Sequence, residues 1–141
     1  TQAANIVFGG TTSTGSPAVT AITQSWDGST WTTVPGGNMN SARYGIGAAG
    51  TQTAGIAFGG GAVNTDTVSS ATELWNGSTW ISSPNSLATA RSAGGGIGTQ
   101  AAGIYFSGAL QPGAATTATE EWTGGSPASP TGAGASTITT S

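Results

Sequence analysis

The sequence predicts an all-β protein built from about three four-stranded antiparallel sheets, each a copy of one unit of roughly 50 residues. Three observations carry this. Ordered blocks recur in register along the chain. The segments between them carry strand signals bounded by glycine, and Asp-Gly or Asn-Gly marks a tight turn at the same place in successive units. No segment carries a helical period.

The first block is Thr1-Gln2-Ala3-Ala4-Asn5-Ile6-Val7-Phe8-Gly9-Gly10. It returns as Gly50-Thr51-Gln52-Thr53-Ala54-Gly55-Ile56-Ala57-Phe58-Gly59-Gly60, and again as Gly98-Thr99-Gln100-Ala101-Ala102-Gly103-Ile104-Tyr105-Phe106-Ser107-Gly108. The second block, Ser25-Trp26-Asp27-Gly28-Ser29-Thr30-Trp31, returns as Leu74-Trp75-Asn76-Gly77-Ser78-Thr79-Trp80, and its first half as Glu121-Trp122-Thr123-Gly124. The third, Asn40-Ser41-Ala42-Arg43, matches Ala88-Thr89-Ala90-Arg91. Within one full unit, residues 44–49 and 54–58 read as the first two strands, short apolar or alternating runs closed by glycine. A variable loop over 59–70 follows, then a third strand over 71–75 and a fourth over 79–82. Asn76-Gly77 joins these last two, since a type I′ turn needs positive φ at both central residues. Asp27-Gly28 does the same in the first unit.

Four strands per period is the arithmetic of a propeller blade. The sequence resembles kelch repeats in the Gly59-Gly60 doublet ending strand two, Trp75 closing strand three, Trp80 opening strand four and Arg91 before the next unit. The resemblance covers 1–122, divided as 1–43, 44–91 and a partial 92–122. The Gly/Ser/Pro/Thr-rich tail, 123–141, departs from it, with Pro127 and Pro130 interrupting and a Thr-rich end able to supply one strand and so close the last blade. More narrowly, the lysine-free Gly/Ala/Thr wording resembles the kelch-like repeat proteins of marine bacteriophage virions. The resemblance implies kelch-like β-propeller blades that form an incomplete ring on their own, because a propeller needs roughly four to eight. The expected partners are therefore other copies or subunits of a larger assembly. A piece of a longer chain is the first expectation and a homodimeric six-bladed ring the second.

Composition removes whole classes of chemistry. The chain has two Arg, five carboxylates and no Lys, His or Cys. Imidazole or thiol catalysis, the usual zinc sites and disulfides are excluded, as are a Schiff-base lysine and a P-loop. A net charge of −3 gives no electrostatic footprint for nucleic acid, and no apolar run approaches a membrane span. No cofactor is expected. Gly, Thr, Ala and Ser make up nearly two-thirds of the residues, so the aromatic residues must supply the core.

Trp26, Trp31, Trp75, Trp80 and Trp122 are expected to be blade core; stacking on sugar rings is the competing reading, and strict repetition favours packing. Arg43 and Arg91 could clamp an anion, but Glu73 and Glu120 recur about 30 residues after them, which predicts a repeated Arg–Glu pair tying one blade to the next. Asp27-Gly28-Ser29-Thr30-Trp31 resembles a shortened Asp-box hairpin of sialidase propellers and implies no glycosidase activity, since the Asp becomes Asn76 one unit on. Asp27, Asp66 and Glu121 are too scattered for an acid/base pair. The most variable stretches, 11–19, 61–70 and 109–117, are either recognition loops or solvated connectors; within them Asn64, Asp66 and Gln111 are the candidate ligand-binding residues. The expectation is a non-enzymatic structural and recognition module of an extracellular or phage virion protein, in a tail, fibre or surface component, binding a host-surface glycan or protein. A carbohydrate-processing propeller enzyme and a purely structural low-complexity β-filament are the alternatives.

Overall fold

A computed structural model describes residues 3–12, 18–62, 67–111, 113–124 and 138–140. It is all-β, with three main antiparallel sheets and no helix among the described residues. The first sheet has the order β1 (Asn5–Phe8), β4 (Thr23–Trp26), β5 (Trp31–Thr33). The second is β6 (Gly47–Thr51), β7 (Ala54–Phe58), β8 (Thr72–Trp75), β9 (Trp80–Ser82). The third is β10 (Gly95–Gly98), β11 (Gly103–Phe106), β12 (Thr119–Trp122), β13 (Ile138–Thr140). A small hairpin, β2 (Thr11–Thr12) with β3 (Ala18–Val19), projects from the first sheet.

The registers repeat with the sequence. Trp26 pairs with Trp31 and Trp75 with Trp80 across four-residue loops rather than the type I′ turns expected from the sequence. Gly28 and Gly77 take positive φ, 101° and 98°, but Asp27 and Asn76 do not, because their side chains instead cap the loop by accepting the N–H groups two and three residues on. In the third sheet Trp122 pairs with Ile138, so the tail strand takes the fourth place after a much longer connection. The third and fourth strands of the second sheet each begin one residue later than expected, at Thr72 and Trp80, and the largest boundary difference is in its first strand, which runs Gly47–Thr51 rather than 44–49. Gly45, at φ 59°, kinks the chain there, and Tyr44 makes only an isolated bridge to Gly61.

The innermost strands β6 and β10 lie against one another. Their small residues follow from that approach: a Cβ on Gly96 would stand 2.5 Å from the Ala48 carbonyl oxygen. Farther out the sheets diverge and large side chains fill the gap. Ile56, Phe58 and Leu74 of the second sheet pack on Tyr105 and Trp122 of the third, and Trp75 and Trp80 pack on Ile6, Phe8 and Val34 of the first. Each such fully buried side chain contributes about 1.5–3 kcal/mol.

Burial divides the five tryptophans and corrects one expectation. Trp75, Trp80 and Trp122 are at most 5% exposed and Trp26 is half-buried, whereas Trp31 is 45% exposed. The cause is position in the array. Trp80 is covered by Phe8, 4.5 Å between ring centroids, and donates its Nε1–H to Thr23 Oγ1 in the sheet before it. Trp31 holds the same place in the first sheet, where no described residue lies on that side. Val7 is exposed on the same face, and Ile104 and Phe106 on the opposite outer face of the third sheet.

Candidate recognition rim

Two sets of buried polar contacts join the sheets into a frame. At each seam an arginine ends one unit and reaches into the next. Arg43 takes the Gly10 N–H on its carbonyl, while its Nη2 lies 2.7 Å from Glu73 Oε1 and its Nη1 donates to the carbonyls of Gly59 and Ala71. The other Glu73 oxygen accepts from the Asn40 backbone N–H at 2.7 Å and its side-chain amide at 3.0 Å. The second seam repeats this with fewer bonds. Arg91 takes the Gly60 N–H and pairs with Glu120 at 2.9 Å, the Ala88 N–H holds the second Glu120 oxygen, and the guanidinium lies over the Tyr105 ring. Nε and Nη2 of Arg91 find no acceptor among the described residues. All four ion-pair side chains are at most 3% exposed, so neither arginine is presented to an anion in solvent.

The opposite ends of the strands are held by two glutamines that sequence reasoning missed. Gln52 donates to the Trp26 carbonyl at 2.8 Å, and Gln100 to the carbonyls of Gly55 and Trp75 at 2.7 and 2.6 Å, each crossing to the preceding sheet. In return Trp75 and Trp122 donate their indole N–H to the backbone carbonyls of Gln52 and Gln100. The available signal was the Thr-Gln dipeptide repeated in the first block.

The Asp27 turn is self-contained. One carboxylate oxygen accepts from the backbone N–H groups of Ser29 and Thr30, both at 2.8 Å, and from the Ser29 hydroxyl; Thr30 Oγ1 donates to the other. These bonds hold the Asp27 carboxyl well below the usual carboxylate range, although the group is exposed. Asn76 holds the equivalent turn with its Oδ1, which shows that the geometry, not the charge, is what the turn requires.

The variable connections emerge at the arginine end. Each opens at a glycine whose carbonyl accepts the returning N–H: Gly10 from Thr20, Gly60 from Ser69, Gly108 from Thr116. Each then forms a short arm, closed by Thr11–Val19 pairing, by the Gly61–Val68 bridge or by the Ala109–Ala115 bridge. Gln111 is exposed on the third arm. Asn64 and Asp66, the other two candidates, lie outside the described residues. Glu121 is exposed on β12, apart from the seams. Among the described residues no three metal-ligating side chains converge.

No protein-family model and no curated protein matches the chain. The solved structure of YjhT, a kelch-type β-propeller, matches 86% of the chain with a TM-score of 0.69 at 17% identity. The chain spans 39% of the length of YjhT. At that identity the likeness establishes the fold: three consecutive propeller-like blades.

Proposed function

We propose that the chain is a non-enzymatic structural and recognition module, a rigid run of kelch-like blades that displays three variable arms from one end. The observation that carries this reading is where the scarce charge has gone. Arg43, Glu73, Arg91 and Glu120 are sealed in the seams and Asp27 is enclosed by its own turn, so most of the charged groups serve the frame. The arms carry hydroxyl and amide groups suited to many weak hydrogen bonds, and such contacts gain strength through display in multiple copies. The resemblance of its composition to kelch-like repeats of phage virions supports an extracellular or virion setting, with a host-surface glycan as the ligand class and neighbouring subunits completing the ring. The test is a glycan array probed with the chain displayed multivalently on a particle. Binding of a defined glycan that falls when Gln111 is replaced by Ala supports the reading. Turnover of any glycan on the array overturns it in favour of a carbohydrate-processing enzyme.

A further inference from the structure

Asn76 is the one asparagine of the chain that is followed by glycine. It opens the exposed loop between β8 and β9, at the end of the sheets opposite the variable arms. Its side chain is held on both atoms. Oδ1 accepts from the Ser78 N–H and hydroxyl, both at 3.0 Å, and from the Thr79 N–H at 2.9 Å, while Nδ2 donates to Thr79 Oγ1 at 3.1 Å. The bond from the Ser78 N–H closes a ring that contains both Asn76 Cγ and the Gly77 nitrogen, so the cap folds Cγ back toward that nitrogen. The Gly77 N–H has no acceptor among the described residues, and glycine brings no Cβ to shield it.

A nucleophile, a carbonyl carbon and donors on its oxygen stand together here. From them we infer that Asn76 is a self-modification site, at which the Gly77 nitrogen attacks Asn76 Cγ in water and the residue ends as aspartate. Hydroxide takes the Gly77 N–H proton, the N–Cγ bond forms, and negative charge develops on Oδ1, where two backbone N–H groups already point. The Cγ–Nδ2 bond then breaks, and the nitrogen leaves as ammonia with a proton from water, which returns the hydroxide. Water opens the resulting five-membered imide. Cleavage of the new N–Cγ bond gives aspartate at 76, and cleavage of the original peptide bond gives the isomer whose main chain runs through Cβ and Cγ. Nothing is oxidised or reduced; one water enters and one ammonia leaves.

The first unit shows how the aspartate is held. Asp27 opens the corresponding loop there, with one oxygen on the Ser29 and Thr30 N–H groups and the other accepting from Thr30 Oγ1 at 3.0 Å. Aspartate at 76 keeps the same set of bonds once the Thr79 hydroxyl turns to donate rather than accept. The isomer adds an atom to the main chain of the loop and loses the cap. The reaction gives the second unit the charged loop that the first has from the outset, and it adds a negative charge to the end of the array away from the arms. None of this depends on what the arms bind.

The test incubates the folded full chain in mildly alkaline buffer beside the same chain unfolded in urea. Tandem mass spectrometry of tryptic fragment 44–91 follows residue 76. Conversion of its amide to acid is expected on the order of 10-fold faster in the folded chain than in urea. Asn5, Asn38, Asn40, Asn64 and Asn85, each followed by a residue with a Cβ, serve as internal controls and keep their amides. Equal or slower conversion in the folded chain overturns the proposal. The Asn76→Asp chain tests the product: it is expected to unfold at the same urea concentration as the parent, and a clear drop in that midpoint overturns the claim that the loop accepts the acid.

Discussion

The seam at Arg43 gives the most demanding prediction. Glu73→Gln keeps the size of the side chain and removes its charge. The carboxylate is 2% exposed; one oxygen lies 2.7 Å from Arg43 Nη2 and the other accepts two bonds from Asn40. An amide presents one oxygen and one NH2, so either the arginine or Asn40 then meets a donor where it needs an acceptor. The guanidinium, itself 3% exposed, is left without a counter-charge. Removing one member of such a buried pair costs about 3–5 kcal/mol. Arg43→Met in the same chain relieves the orphaned charge. Gln24 occupies the place of Glu73 in the first sheet, so an amide fits that strand position. The double variant is therefore expected within about 2 kcal/mol of the parent, a coupling at the upper end of what contacting residues show. Urea unfolding followed by tryptophan fluorescence measures all four corners of the cycle. A loss below about 1 kcal/mol for Glu73→Gln, or strictly additive losses, refutes the claim that this pair is a sealed electrostatic unit.

Further outcomes follow from other positions. Gln100→Ala removes donors from two buried carbonyls, those of Gly55 and Trp75, and is expected to destabilise by about 2–3 kcal/mol in the same unfolding assay. Trp80→Ala costs about 3–5 kcal/mol, whereas Trp31→Ala, at a side chain 45% exposed, costs less than half of that; equal losses would show that the outer face is covered in solution. Ala93 and Ser107 take positive φ, 58° and 62°, where the second unit has Gly45 and Gly59. Ala93→Gly should therefore stabilise by about 0.5–1 kcal/mol in thermal unfolding, while Gly59→Ala, whose Cβ would lie 2.5 Å from the Arg91 carbonyl, should destabilise by about 2 kcal/mol or more. The Asp27 carboxyl is more acidic folded than unfolded, so its contribution is present above about pH 3.9 and is lost as pH falls through the depressed folded value. Asp27→Asn abolishes that dependence and keeps the turn, which carbon-detected titration and stability at acid pH both read. Burial raises the Tyr105 phenol, so stability falls as pH rises above about 10, and Tyr105→Phe removes this alkaline dependence.

The blade pattern was legible because its constraints are local. A turn that needs positive φ at Gly28 and Gly77 writes itself into adjacent residues, and the alternation around it sets which side chains share a face. The Arg43–Glu73 and Arg91–Glu120 pairs were legible for another reason: charge is so scarce here that its periodic return has few explanations. Gln52 and Gln100 were not legible, because a glutamine in a polar turn is unremarkable until the carbonyl ends of the preceding sheet are placed beneath it. Trp31 was misread for the converse reason. Repetition gives equivalent positions, but burial depends on neighbours, and equivalent positions at the edge of an array do not have equivalent neighbours. The start of β6 at Gly47 depends in the same way on a kink at Gly45, whose carbonyl accepts the Ala93 N–H of the next unit at 2.7 Å, a contact about 48 residues away that no local window contains.

The seams also bear on how the chain meets proteases. Trypsin cleaves after lysine or arginine, and here it has two addresses, Arg43 and Arg91. Both side chains are caged by an ion pair, and both arginine carbonyls accept an N–H from the preceding blade. Neither bond can enter a protease cleft while the blades are together. Cleavage therefore tracks the transient parting of one blade from the next, and its products are the units themselves, 1–43, 44–91 and 92–141. The same residues that fasten the seams make their opening countable by limited digestion and mass spectrometry.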